Sequence, residues 1–241
     1  MEKGLLSGLE IISSRLNFDF SRFSIDAEQC PYKGYRILKK GDSVIIRYGE
    51  KSSFYSALLS LMARQDEDFE ENRSMFCDKL GLMVDSARNG VFNVEAIKLF
   101  IMNSAMCGYS YLQLYVEDCM QIDGEPYFGH QRGAYTKEEI KEAVEFGEIF
   151  GVELMPCIQT LAHLNQIFRW DGYFHDIRDC NDILLIGEEK TYQLIEKMVK
   201  TAASCFKTKR INVGMDEAHM VGLGQYLDKN GFQDRFELVA E

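Results

Sequence analysis

Proline is scarce in this chain, 3 residues in 241, and glycine is modest at 19. That argues against a linker-rich or disordered polypeptide. No basic run exceeds two residues, and 27 basic side chains face 38 acidic ones, for a net charge of −11. Neutralising phosphates takes clustered Lys and Arg, so no nucleic-acid partner is expected. No stretch approaches the roughly 18 apolar residues of a membrane span. The opening MEKGLLSGLEIISS lacks an apolar core flanked by a cleavage site, so neither a membrane partner nor a signal peptide is read. The seven cysteines (Cys30, Cys77, Cys107, Cys119, Cys157, Cys180, Cys205) are odd in number and form no CxxC. Reduced, packed thiols and a cytoplasmic location are the reading.

Cofactor signatures are also missing. No GxGxxG or GK[ST] loop follows an apolar strand, which weighs against a nucleotide-binding open sheet. No GxSxG elbow supports a serine nucleophile. The four histidines (His130, His163, His175, His219) lack HxxxH or HxH spacing. We therefore expect no cofactor and no metal, with Asp216 and His219 as the weak alternative for a cation.

What is present is apolar, at 46% of residues, and ordered enough to pack a core. Residues 1–75 read as a small α+β domain. Tyr35–Leu38 and Ser43–Tyr48 look like strands joined by a Lys-Lys-Gly-Asp turn. Ser52 or Ser53 is the expected cap of a helix running to about Arg64. The acidic run Asp66–Glu71 reads as a solvated linker.

From residue 76 to 241 the pattern is strand, loop, helix, repeated. Strands are expected at Gly81–Asp85, Tyr109–Val116, Val152–Ile158 and Ile211–Met215. Asn93 caps one helix, Thr136 with Glu139 makes a capping box for another, and a third runs from about Glu188 to Phe206. Helices between strands imply a parallel sheet covered by helices. A (β/α)₈ barrel takes about 250 residues, so these four units leave two readings, an open α/β sheet or the front half of a barrel.

Two of the apolar runs end in charge: GLMVDSARN (residues 81–89) and RINVGMDEAH (residues 210–219). Parallel α/β proteins place chemistry beyond the carboxyl ends of their strands. Asp216 and Glu217 are thus a candidate acid/base pair, since two carboxylates in different environments can split roles. A surface pair capping the next helix is the bland alternative. Arg88 could clamp two adjacent sugar hydroxyls with its forked donors, or close a salt bridge to Asp85 or Glu117. Glu117 and Asp118 end the second strand and His163 lies beyond the third. A histidine held by a carboxylate and leaning on Glu217 would tune its proton affinity. Trp170 and the pairs Tyr127-Phe128 and Tyr173-Phe174 are either sugar-stacking rings or loop anchors.

In order and spacing these motifs resemble glycoside hydrolase family 20, the β-N-acetylhexosaminidases, in its bacterial intracellular branch. Phe54–Arg64 is similar to the helix ending the family's small N-terminal domain. Gly81–Asn89 resembles the first barrel strand with its Asp-x-x-Arg. Glu117-Asp118, Pro126–Gly129 and Arg132-Gly133 resemble the second strand and its loop. Gly214–Glu217 (GMDE) resembles the Gly-x-Asp-Glu of strand four.

The resemblance implies an α/β chain: a small N-terminal α+β domain, then the N-terminal half of a catalytic (β/α)₈ TIM barrel. It implies a glycosidase cutting terminal N-acetylhexosamine (GlcNAc or GalNAc) from a small carbohydrate substrate. The mechanism would be substrate-assisted and retaining, the 2-acetamido oxygen serving as nucleophile. Asp216 would orient the acetamido group and Glu217 would act as acid, then base. Arg88 would bind hydroxyls, and His163 with Glu117 or Asp118 would support Glu217. Leu161-Ala162-His163 stands where the family has Pro-Gly-His. The family's pocket is walled by Trp and Tyr from later strands, before which this chain stops. The 241 residues alone are therefore expected to be inactive, and either poorly soluble or a homodimer through the open side of the sheet.

Overall fold

The computed structural model describes residues 3–240. It opens on helix α1 (Lys3–Leu16), which buries Leu5 and Ile12 two turns apart on one face. Four strands follow around a second helix: β1 (Ser24–Gln29), β2 (Gly34–Lys40), β3 (Ser43–Tyr48), α2 (Lys51–Ala63) and β4 (Phe69–Ser74). Their order is β1-β3-β2-β4, with β1 parallel to β3, and β2 antiparallel to both β3 and β4. Alternation explains the sheet's inner face: Val44, Ile46 and Tyr48 are buried while Ile45 between them is exposed. Helix α2 lies on β2 and β3 through Phe54, Ala57, Leu58 and Leu61.

Two expectations fail here. Neither Ser52 nor Ser53 caps α2. Glu50 holds the N-cap position and both serines are buried within the first turn, so packing sets where the helix begins. The acidic run is not a linker throughout, because its end enters β4. Glu71 turns inward and accepts hydrogen bonds from Tyr35 Oη (2.5 Å), Ser60 Oγ (3.1 Å) and Arg73 Nε (2.9 Å), besides pairing with Arg64. An edge strand tolerates charge on its open face, so composition misled.

The remaining elements alternate: β5 (Gly81–Asp85), α3 (Val94–Met106), β6 (Tyr111–Tyr115), α4 (Lys137–Phe150), β7 (Glu153–Cys157), the short α5 (Asp171–Phe174), β8 (Arg178–Cys180), β9 (Ile183–Leu184), α6 (Glu189–Cys205), α7 (Gln225–Asn230) and α8 (Arg235–Ala240). A sheet runs β5-β6-β7. Asn93 accepts from Ala96 N at 2.8 Å as the cap of α3. Thr136 and Glu139 exchange the capping-box bonds, 2.8 Å and 3.2 Å.

The expected fourth strand, Ile211–Met215, is not a regular strand. It joins β7 by one parallel bridge, Cys157 to Asn212, with Asn212 N donating to Pro156 O and Ile158 N to Asn212 O. Gly214 adopts φ +55°, a left-handed conformation that interrupts extended backbone.

The chain divides into two compact units, residues 1–83, 93–113 and 142–154 in one, and 84–92, 114–141 and 155–241 in the other. The second unit holds the C-terminal ends of β5, β6 and β7 and the loops that follow them. All the candidate residues belong to it. Among the described residues no helix is long and apolar enough to cross a membrane.

Candidate active site

Glu117, His163 and Glu217 share an unusual backbone, with φ of 44°, 59° and 57°. L-residues seldom adopt left-handed conformations, and where they do the surrounding structure must hold them. Each of the three follows an apolar strand or strand-like run, so the chain turns sharply where it leaves the core. At residues 214–217 the effect is visible. Had the run stayed extended, Asp216 and Glu217 would face opposite ways. Gly214 and Glu217 bend it, and both carboxylates meet one imidazole: His163 Nε2 is 3.5 Å from Asp216 Oδ2 and 3.5 Å from Glu217 Oε2. Both distances are longer than those of good hydrogen bonds. Gly214 cannot be replaced by a residue with a side chain without a clash, since a Cβ would stand 2.3 Å from Ile158 O and 2.5 Å from Gln159 Oε1.

The loop carrying His163 is pinned from beneath. His163 N donates to Asp182 Oδ2 (3.1 Å), and Leu161, Ala162, Ile183 and Val221 form a small buried cluster. The segment after Glu217 is held by buried Asp179, which accepts from the backbone of Gly222 (2.6 Å), Gly224 (3.2 Å) and Tyr226 (2.9 Å).

Two residues that sequence reasoning missed join the rest. Gln159 Nε2 donates to Asp216 Oδ1 (3.2 Å) and to Tyr115 Oη (3.1 Å), and Tyr115 Oη donates to Glu117 Oε1 (2.9 Å). The amide orientation follows from the acceptors, since a flip would set Gln159 Oε1 against the Asp216 carboxylate. A signal did exist for Gln159. It is the polar residue immediately after the apolar run Val152–Ile158, as Glu117 is after Tyr109–Val116.

Arg88 reaches the same network. Its guanidinium lies 5.0 Å from the Tyr115 ring centroid, and its Nε donates to Asp85 Oδ2 at 2.6 Å. The salt bridge to Asp85 is therefore formed, and the guanidinium keeps its two terminal amines as donors. Asp118 is not part of this network. Its buried carboxylate faces Arg132 Nε (3.3 Å), whose Nη2 donates to Ala87 O (2.7 Å), tying the loop after β6 to the end of β5.

The electrostatics separate the carboxylates. Burial pushes Glu117 above the ordinary glutamate range, against the Tyr115 hydrogen bond and the neighbouring His163. Burial also raises Asp118, opposed by Arg132. For Asp216 burial acts upward too, but the Gln159 amide, its own backbone N–H and His163 outweigh it and hold the carboxyl low. The Cys157 thiol is pushed up to about 11 by burial and by Asp216, which makes it a poor nucleophile. The side chains of Asp216 and Glu217 are 63% and 66% exposed, open to an incoming ligand.

His163, Asp216 and Glu217 can bring three ligand atoms within 4.8 Å of one another, the one metal-like grouping among the described residues. His219 is not in it. A single nitrogen donor is a thin set for a transition metal.

Residues 80–237 match the family model described as "Glycosyl hydrolase family 20, catalytic domain". Among solved structures the chain is similar to an exo β-N-acetylglucosaminidase from Vibrio harveyi. The TM-score is 0.79 at 18% identity, over 98% of this chain and 46% of that one. A Streptomyces plicatus β-hexosaminidase variant in complex with its product GlcNAc gives a TM-score of 0.74 at 18% identity, over 90% and 54% of the two chains. Bovine hexosaminidase D is 26% identical over 108 residues, 42% of this chain and 31% of its own length. The chain thus spans about half the length of the two solved relatives. The architecture is α/β: a small N-terminal α+β domain followed by the first half of a (β/α)₈ barrel.

Proposed function

From the premise that the chain belongs to glycosyl hydrolase family 20, we propose that it carries the acid/base machinery of a β-N-acetylhexosaminidase. The substrate is a terminal, non-reducing N-acetylhexosamine, cleaved with retention by its own 2-acetamido group. In this reading residues 1–75 are the accessory domain and 76–241 the N-terminal half of the catalytic barrel. Seven unbridged cysteines support a reducing, cytoplasmic setting.

The observation that carries the reading is the single imidazole facing both Asp216 and Glu217. As the substrate's amide oxygen attacks the anomeric carbon, positive charge grows on the forming oxazolinium. An Asp216 held ionised by the Gln159 amide is suited to stabilise that charge and orient the N–H. Glu217 gives its proton to the departing oxygen, then takes one from water when the ring reopens. His163 accepts or returns charge beside Glu217, with Glu117 close enough to feel the imidazole. Arg88, fixed by Asp85 and the Tyr115 ring, offers its terminal amines to two neighbouring hydroxyls. Asp118 serves the loop through Arg132 rather than the substrate.

The test compares aryl glycosides as substrates of the protein. Turnover of an aryl N-acetyl-β-glucosaminide, without turnover of the 2-hydroxy glucoside, is the expected result. Equal hydrolysis of both would point to an enzyme nucleophile and end the substrate-assisted reading.

A further inference from the structure

His163 and Glu217 come from two different loops, and one short ribbon grips both. The ribbon is β8 (Arg178–Cys180) paired antiparallel with β9 (Ile183–Leu184), turning at Asn181 and Asp182. Asn181 sits at φ 39°, a left-handed conformation that asparagine tolerates in turns. On one side the ribbon binds the segment around His163. Leu184 N donates to Leu161 O (2.8 Å), Leu164 N to Asp182 O (3.1 Å), and His163 N to the Asp182 carboxylate (3.1 Å). On the other side it binds the segment that follows Glu217. Cys180 Sγ donates to Met220 O (3.1 Å), and buried Asp179 accepts from the backbone N–H groups of Gly222, Gly224 and Tyr226. Gly224 lies so close that a Cβ there would stand 2.0 Å from Asp179 O. The two sides also share a core. Ala162, next to His163, forms an apolar cluster with Leu161, Ile183 and Val221, and Ala218, next to Glu217, packs against it.

We propose that the β8–β9 ribbon sets the distance between the His163 imidazole and the two carboxylates, with Asp179 and Asp182 as its positioning residues. The role deepens the glycosidase reading above and rests on it. Both aspartates bind backbone N–H groups, so they fix where the chain runs. Hydrogen bonds to a carboxylate are stronger than those to a neutral acceptor. That strength is needed here, because His163 and Glu217 hold left-handed torsions of 59° and 57°. Such torsions persist only where the surroundings enforce them. The ribbon's bonds fall at His163 itself and in the segment just after Glu217, the two places where enforcement is required. A misplacement of about 1 Å can cost about 10²-fold in rate. The imidazole meets each carboxylate at 3.5 Å, so slack in the ribbon would reach the proton transfer directly.

The experiment compares Asp182→Ala and Asp179→Asn with the wild-type protein. At position 179 asparagine can keep Oδ1 as acceptor for Gly224 and Tyr226 and loses only the bond from Gly222. Alanine there would leave three N–H groups unpaired. Circular dichroism checks that each variant is folded, and Asp182→Ala decides alone should Asp179→Asn not fold. On aryl N-acetyl-β-glucosaminides with poor leaving groups, kcat should fall on the order of 10- to 100-fold. KM should change little and activated leaving groups should be largely spared, because what is lost is protonation by Glu217. In a His163→Ala background, Asp182→Ala should cost nothing further. The ring-proton NMR signals of His163, assigned by their disappearance in His163→Ala, should shift in both variants. Equal losses for all leaving groups, or a loss that multiplies with His163→Ala, would mean that the ribbon only stabilises the fold and would overturn the proposal. Unmoved His163 signals in folded variants overturn it as well. The NMR readout needs no turnover. A wild-type protein that hydrolyses no N-acetylglucosaminide ends the glycosidase reading, while the His163 signals still decide whether the ribbon positions the imidazole.

Discussion

Gln159 donates from Nε2 to Asp216 Oδ1 over 3.2 Å, a neutral amide from the end of one strand holding a carboxylate that follows another. Asp216 is kept ionised by this bond against the upward push of burial. Gln159→Leu removes the donor. A hydrogen bond to a charged group is worth about 1.5–3 kcal/mol, so kcat/KM on acetamido substrates should fall on the order of 10- to 100-fold. Asp216 should also protonate at higher pH in the variant, moving the acid limb of the pH–rate profile upward. A profile of unchanged shape would mean that Gln159 does not position Asp216.

Glu217→Gln removes the proposed general acid. Losses of about 10²–10⁴-fold are expected on substrates with poor leaving groups, with activated aryl glycosides spared in the first step because they need little protonation. Equal losses across a series of leaving groups would contradict that role.

Asp216→Asn should impair turnover of acetamido sugars by removing the charge that faces the oxazolinium. Added azide should not restore activity, since no enzyme nucleophile is missing. Mass spectrometry finding a glycosyl ester on Asp216 or Glu217 would disprove substrate assistance.

Arg88→Lys keeps the charge and loses the fork. Because Nε is committed to Asp85, a lysine must choose between that carboxylate and the substrate. The expected loss in kcat/KM corresponds to about 2–4 kcal/mol for hydrogen bonds buried under the sugar. Near-wild-type kinetics would leave Arg88 with the Asp85 salt bridge as its whole role.

Glu117 carries a carboxyl whose affinity for protons is raised by burial. A group with a raised folded-state pKa stabilises the fold below its unfolded pKa, and that contribution is lost as pH rises through the folded value. Glu117→Gln should therefore raise Tm at neutral pH while lowering activity, and the gain in Tm should shrink as pH falls toward the ordinary carboxylate range. A variant less stable than wild type at pH 7 would show that ionised Glu117 is well compensated by Tyr115 and His163.

Sequence alone determined what depends on neighbours in the chain. The Asn93 cap, the Thr136–Glu139 box, the alternation of β2 and β3 and the apolar runs at β5, β6 and β7 are local signals, and each produced its element. Local too was the position of charge just beyond apolar runs, which singled out Arg88, Glu117, Asp118, His163, Asp216 and Glu217. Tertiary structure decided which of them meet. Whether a side chain at a strand end turns to one face or the other depends on the sign of φ there, and three of these residues have it positive. That torsion is held by packing from residues tens of positions away, as Asp182 holds His163 and Asp179 the segment after Glu217. The same distant packing sent Asp118 to Arg132 instead of the site, reduced the fourth strand to a bridge at Asn212, and brought Gln159 and Tyr115 between the carboxylates. Pairing of strand ends is a contact between segments far apart in the chain, and no local pattern encodes it.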